Sequence, residues 1–147
     1  MDISNLTLQE VNQLIKSNKE LIKEFPNQIS LIGKIKDDTD VLGNFDGVEY
    51  KLHRYRHPLE TDRYSIHLRF SNTNECLIRV DVNNGSHRNP DGTIVPPNHV
   101  HIYSTVKNCR RDAYAFPLPT EFTDLHSIIT ALNTFLVYNN IKEYSRR

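Results

Sequence analysis

Two histidines and an arginine–aspartate pair are the residues of this sequence best suited to chemistry. His99 and His101 are separated by one residue, as are Arg79 and Asp81. On a β-strand, residues two apart point to the same face, so each pair would present its side chains together, with Cα atoms about 7 Å apart. An imidazole titrates near neutral pH, and a planar guanidinium matches two phosphate oxygens. The set therefore indicates acid–base chemistry on a phosphate.

The reaction that these residues fit best is metal-independent cleavage of RNA. One histidine would take the proton of a ribose 2′-hydroxyl, and the other would protonate the leaving oxygen. Arg79 would stabilise the charge developing on phosphorus, and Asp81 would hold one imidazole in the productive tautomer. His87 lies beside Arg88 in a long loop, residues 84–98, and would approach as a third imidazole when substrate closes the site. This reaction needs no cofactor and no metal.

The same side chains permit a second interpretation, in which the protein binds a metal. His87, His99, His101 and Asp81 would suit a divalent ion such as zinc, nickel or iron. A His-x-His pair on a strand is a weak motif, and its spacing selects no particular metal. Metal binding therefore ranks below acid–base catalysis.

Two amphipathic helices are predicted, one near each end of the chain. Thr7 and Glu10 have the spacing of a capping box, and the apolar residues that follow recur at helical spacing, which predicts a helix over residues 8–25. Near the C-terminus, an apolar stripe predicts a helix over residues 125–136. We expect this second helix to pack on the apolar face of a sheet.

Between the helices, five segments alternate apolar and polar residues with the period of a half-buried strand. They span residues 28–35, 48–56, 63–70, 76–83 and 99–105. The pattern predicts a single α+β domain, residues 1–147, with an antiparallel sheet of about five strands. If the last three strands are neighbours, one polar face holds His67, Arg69, Arg79, Asp81, His99, His101 and Tyr103. Beside the catalytic set, the residues predicted to bind substrate are Arg69, Tyr103, Arg88 and His67.

Composition limits the partners of the chain. Eighteen cationic residues balance eighteen acidic ones, so binding to nucleic acid would need a local basic patch, such as the segment that holds Arg54 and Arg56. That patch also suits an alternative function, a non-catalytic protein-interaction module. The N-terminus lacks the apolar run of a signal peptide, and no segment approaches the roughly 20 apolar residues of a membrane span. We therefore expect a cytoplasmic protein without a membrane partner; the sequence does not indicate its oligomeric state.

The order of the reactive residues resembles the signature of TumE-like bacterial toxins. That family has an Arg-x-Asp-Asn strand followed by a Pro-His-His-x-His segment, and the resemblance covers about residues 63–136. The residues that carry it are Arg79, Asp81, Asn83, His87, Pro97, His99 and His101. It implies a toxin of a toxin–antitoxin or phage-defence system, with an antitoxin protein and RNA as partners. Because Val82 interrupts the Asp-Asn pair and Asn98 replaces a histidine, the alternative is an uncharacterised bacterial or phage family with the same layout.

Overall fold

The computed structural model describes residues 1–145, and in them the chain forms an α+β fold built on one large sheet. This confirms the predicted class. The helices are α1 (Leu8–Lys16) and α2 (Ile128–Tyr138). The strands are β1 (Lys19–Leu21), β2 (Ile35–Gly43), β3 (Glu49–Arg56), β4 (Tyr64–Phe70), β5 (Cys76–Val82), β6 (His87–Arg88), β7 (Ile94–Val95), β8 (His99–Ile102), β9 (Ala115–Pro117) and β10 (Ile141–Lys142).

The main sheet has eight strands instead of the five expected, in the order β10-β1-β2-β3-β4-β5-β8-β9. Its neighbours are antiparallel except for β1 and β10, which pair in parallel. The long loop predicted over residues 84–98 contains a separate two-stranded hairpin, made of β6 and β7. The three extra strands of the main sheet are short, and two of them, β9 and β10, form its edges.

The first helix begins as predicted but is shorter. Thr7 and Glu10 form the capping box, whereas the helix ends at Lys16 and not at residue 25. The chain then turns into β1, where Lys19 is fully buried and its Nζ donates hydrogen bonds to the carbonyls of Ile15 and Ser17, each 2.9 Å away. Lys19 therefore satisfies carbonyls at the end of α1, which the helix itself cannot pair.

The first predicted strand is misplaced. Residues 28–34 form no strand, and β2 begins at Ile35 and runs through Asp37, Asp38 and Asp40. Asp37 forms an ion pair with Arg54 of β3, and Asp40 lies beside Lys51 of the same strand. These aspartates form cross-strand ion pairs. Aspartates are also common in turns, so the local sequence does not distinguish a strand with ion pairs from a turn.

The predicted basic patch is not a surface. Arg54 and Arg56 lie on the covered side of β3, where the chain segment that precedes β2 packs over them. Arg54 Nη2 donates to the carbonyl of Asn27 at 2.8 Å, and Arg56 Nη2 donates to the carbonyl of Ser30 at 2.8 Å. Because both guanidinium groups are buried and paired, they offer no charge to an outside partner.

The two helices cover the apolar face of the sheet. The buried side chains of α1 and α2 pack against those of β4 and β5, among them Ile66, Leu68 and Val80. This leaves the alternate residues of β4, β5 and β8 on the other face, where the reactive side chains lie. In residues 1–145 we find no helix that is both long and apolar enough to cross a membrane.

Candidate functional site

The register between β5 and β8 brings the two sequence pairs together. Asp81 lies directly opposite His99, and Arg79 lies directly opposite His101. Directly opposite side chains on one face of an antiparallel pair are close neighbours, so the four groups converge at one place. We refer to Asp81, His99 and His101 as the His–Asp cluster.

The His–Asp cluster is buried and compact. Its histidines are each 2% exposed and its carboxylate residue is 8% exposed. Asp81 Oδ2 lies 3.3 Å from His99 Nε2 and 3.4 Å from His101 Nε2. One nitrogen or oxygen from each of the three residues lies within 4.8 Å of the other two, which is a grouping able to hold a metal ion.

The other ring nitrogen of each histidine fixes its tautomer. His99 Nδ1 lies 2.7 Å from the carbonyl oxygen of Pro96, and His101 Nδ1 lies 2.8 Å from the carbonyl oxygen of Asp112. A carbonyl oxygen only accepts, so both Nδ1 atoms carry a proton and donate it. In a neutral imidazole this leaves a lone pair on Nε2, and both lone pairs then point at Asp81.

Asp81 cannot complete those contacts as a hydrogen-bond donor, because its carboxyl is ionised. Burial raises its pKa, but contacts from His101 and His99 and the charge of Arg79 together lower it below the ordinary value. The pKa of His99 is raised, since its contacts with Asp81 and Pro96 outweigh the lowering by burial. Acceptors therefore face both nitrogens of each imidazole.

His87 covers the cluster from the β6–β7 hairpin. Its ring centroid lies 4.7 Å from that of His101 and 5.9 Å from that of His99. His87 Nε2 donates to the carbonyl of Ala113 at 2.7 Å, so its Nδ1 carries the lone pair. The hairpin is fastened to β9 by Asn89, whose amide nitrogen and oxygen bond the backbone of Ala115 at 3.0 and 2.8 Å.

Arg79 lies beside the cluster with much of its hydrogen-bonding capacity unused. Its Nε is buried 3.3 Å from Asp81 Oδ1 without forming a hydrogen bond, and its Nη1 lies 3.5 Å from Asp112 Oδ2. Both distances exceed the roughly 2.7–2.9 Å of a strong charged pair. Asp112 belongs to an irregular stretch whose sequence has no strand or helix period, so its approach to Arg79 was not predicted.

The predicted substrate-binding residues do not gather at the His–Asp cluster. His67 and Arg69 lie on the same sheet face but in a separate network, in which His67 stacks on His53 and Arg69 forms a bidentate ion pair with Asp38. Burial, reinforced by nearby positive charge, lowers the pKa of His67 to about 3, so this imidazole is neutral. Arg88 is exposed on the hairpin.

Tyr103 is not on the polar face, which corrects the prediction. Leu77 is an extra residue in β5, because Leu68 pairs with Ile78 whereas the next residue of β4 pairs with Cys76. Opposite this β-bulge β8 ends, and strict alternation ends with it. Tyr103 is buried in the core instead, with its hydroxyl 3.3 Å from the carbonyl of Ile3.

The same bulge determines the environment of Cys76. Cys76 lies opposite Arg69 and is half-buried, while its neighbour Leu77 takes the core position. Burial raises the pKa of the Cys76 thiol to about 12, so it is protonated at neutral pH and is a poor nucleophile.

The comparisons with known proteins identify one family. The model of a family of unknown function (DUF6978) matches residues 6–141. No curated protein matches the chain, and no solved structure does. The chemistry of the site must therefore be inferred from its own geometry.

Proposed function

The chain belongs to the family DUF6978, and from the geometry of its site we propose that it binds a divalent metal ion through Asp81, His99 and His101. One observation carries the proposal. Each imidazole has its Nδ1 proton committed to a backbone carbonyl and its Nε2 directed at the same ionised carboxylate. A positive charge between these three groups would turn the repulsion between the lone pairs and the carboxylate into attraction.

That charge can come from two protons or from one divalent cation. Two protons would make two imidazolium ions side by side, with ring centroids 4.9 Å apart, in a site that excludes water. Like charges at this spacing repel each other strongly in a buried site, where little water screens them. A divalent cation supplies the same total charge while leaving both imidazoles neutral, so it is the better occupant at neutral pH.

The spacing of the ligand atoms agrees with this choice. Metal–nitrogen and metal–oxygen bonds of roughly 2.0–2.2 Å, meeting at a tetrahedral angle, place neighbouring ligand atoms about 3.4 Å apart. The two distances from Asp81 Oδ2, 3.3 and 3.4 Å, match that edge. They are longer than the roughly 2.7–2.9 Å of an imidazolium–carboxylate hydrogen bond.

The surroundings of the imidazoles also fit a metal site. Histidines that bind metals commonly donate their second ring proton to a backbone carbonyl, which fixes the ring and keeps Nε2 available. His99 and His101 both do this. His87, whose ring centroid lies 4.7 Å from that of His101, is a further side chain that would supply a fourth ligand if its ring turned toward the ion. Imidazole and carboxylate ligands together suit zinc and iron, and zinc is the metal to test first.

The metal-independent ribonuclease and the toxin–antitoxin role stay separate predictions. They require an RNA phosphate to reach the imidazoles of His99 and His101, which are 2% exposed beneath the β6–β7 hairpin. Cleavage of RNA by this mechanism would therefore require the hairpin to open. Metal binding requires only that an ion enter.

Calorimetric titration with zinc tests the proposal. The protein is prepared without an affinity tag, treated with a chelator and dialysed, and then compared with Asp81→Asn, His101→Ala and the control His53→Ala. His53 is a strand histidine outside the cluster. We expect one zinc per chain for wild type and His53→Ala, and at least a hundredfold weaker binding for the two cluster variants. Equal affinity in all four proteins would refute the proposal, provided that circular dichroism shows each variant folded.

A further inference from the structure

A polar cavity lies next to the His–Asp cluster, on the far side of Asp112. Its volume is about 750 Å³, within the roughly 300–1,000 Å³ of small-molecule sites. We define it by the residues that give it charge, which are Glu75, Lys107, Arg110, Arg111 and Asp112. The remaining wall is mostly amide and hydroxyl, from asparagine and threonine side chains.

We propose that this cavity binds a small phosphate ester, with the phosphate held by Lys107 and Arg110. The proposal goes beyond the metal site and does not require it. It is carried by three cationic against two acidic side chains around a recess of the right size, and by one carboxylate that two guanidinium groups share.

The positive charge of the cavity is available to a ligand. Arg111 is committed to the fold, since it donates to the carbonyls of Ser4 and Ser104 and covers the ring of Tyr103. Arg110, by contrast, has a side chain that is 86% exposed, and Lys107 is exposed without an ion pair in residues 1–145. Lys107, and Arg110 with its long ion pair to Asp112, can therefore turn toward an anion in the cavity.

Asp112 neutralises only part of this charge, because two guanidinium groups share its carboxylate. Its Oδ1 lies 3.4 Å from Arg110 Nε, and its Oδ2 lies 3.5 Å from Arg79 Nη1. Both distances are too long for strong charged hydrogen bonds. One carboxylate thus stands between two guanidinium groups, of which Arg79 also lies 3.3 Å from Asp81 Oδ1. Guanidinium groups with unused donors recognise phosphate oxygens well.

The size and chemistry of the wall select the kind of phosphate ligand. A recess of this volume holds a molecule of about one nucleotide, not a strand of nucleic acid. The amides of Asn74 and Asn108 and the hydroxyl of Thr73 offer hydrogen bonds to a sugar or another polyhydroxylated group. The expected ligand is therefore a phosphorylated small molecule.

Titration calorimetry with inorganic phosphate, adenosine monophosphate and a short single-stranded RNA tests the proposal on the full chain. The variants are Arg110→Gln, Lys107→Gln and Asp112→Asn, with Arg88→Gln as the control because it removes an exposed arginine outside the cavity. We expect both cationic cavity variants to bind the monophosphate at least tenfold more weakly. Asp112→Asn should bind severalfold more tightly, because the competing carboxylate is gone, and Arg88→Gln should bind like wild type.

Three binding results would overturn this inference, and a fourth concerns zinc. They are the absence of phosphate or monophosphate binding at millimolar concentration, an equal loss in Arg88→Gln and Arg110→Gln, and binding of RNA alone. Metal content is measured in each sample, with and without added zinc. Phosphate binding that depends on zinc but is indifferent to Lys107 and Arg110 would assign the anion to the metal and also overturn the cavity site.

Discussion

The buried ion pair between Arg54 and Asp37 gives the sharpest prediction about stability. The side chain of Arg54 is 2% exposed and that of Asp37 is 5% exposed. Arg54 donates from Nε and Nη2 to the two carboxylate oxygens at 2.8 and 2.6 Å, and its guanidinium lies over the ring of Phe25 at 4.2 Å. Asp37→Ala would leave a buried guanidinium with one backbone carbonyl, that of Asn27, as its remaining acceptor.

The expected cost follows from that uncompensated charge. Removing one partner of a buried pair costs about 3–5 kcal/mol of the free energy of unfolding. For a domain of this size each kcal/mol shifts the melting temperature by roughly 2–4 °C, so Asp37→Ala should melt about 10 °C below wild type. Urea denaturation followed by circular dichroism measures the free energy directly.

Asp40→Ala is the matched control on the same strand. Asp40 pairs with Lys23 and Lys51, whose side chains are 70% and 38% exposed. Such exposed pairs contribute about 0–1 kcal/mol. If Asp37→Ala cost no more than Asp40→Ala, Arg54 would be accessible to solvent, and the protein-interaction surface inferred from the sequence would be open again.

Three further predictions concern other buried polar groups. Lys19→Met should lower the free energy of unfolding by about 3 kcal/mol in urea denaturation, because three carbonyls lose a charged donor and each such hydrogen bond is worth roughly 1.5–3 kcal/mol. Part of this loss is offset, because the variant no longer buries an ammonium group, whose pKa burial lowers to about 8. An unchanged urea midpoint would contradict the prediction. Burial, reinforced by nearby positive charge, lowers the pKa of His67 from its ordinary value of 6.5 to about 3. The unfolded state therefore binds more protons between these two pH values, and the free energy of unfolding falls as the pH drops below about 6.5. The metal-free His67→Gln variant should lose less stability than metal-free wild type between pH 6.5 and about 4, and an identical pH dependence would refute this reasoning. Asn89→Ala should increase amide exchange in residues 87–95, because Asn89 fastens the hairpin to β9, and wild-type protection would show that the hairpin is held otherwise.

The constellation at the site could be predicted because it depends on local alternation. His99 with His101, and Arg79 with Asp81, share a strand face whatever the rest of the fold does. The prediction went wrong for Tyr103, since a β-bulge is one extra residue in one strand and leaves no mark in the alternation of the other. The backbone carbonyls that fix the histidine tautomers could not be predicted from the sequence either, because any residue type can supply a carbonyl.

The missed parts of the fold depend on contacts between distant residues. Strand β1 pairs with β2 and with β10, and β10 lies more than 100 residues away in the sequence. The local sequence carries no sign of these pairings, so the three residues of β1 were predicted as a continuation of α1. The sequence around Arg54 and Arg56 has the pattern of a charged surface, because the carbonyls that pair with them lie in a segment without regular structure. Hydrophobic periodicity reports which face of an element is buried by apolar neighbours, and it does not register a face buried by ion pairs and carbonyls.

The central claim is that the His–Asp cluster holds one divalent cation, and elemental analysis tests it most directly. Wild type and Asp81→Asn are expressed without a tag in medium supplemented with zinc, iron, manganese and nickel, and purified without chelator. Metals are then quantified per chain by plasma mass spectrometry. The account predicts close to one equivalent of a single transition metal in wild type and less than a tenth in Asp81→Asn. Less than a tenth of an equivalent in folded wild-type protein, with no uptake on reconstitution, would contradict it.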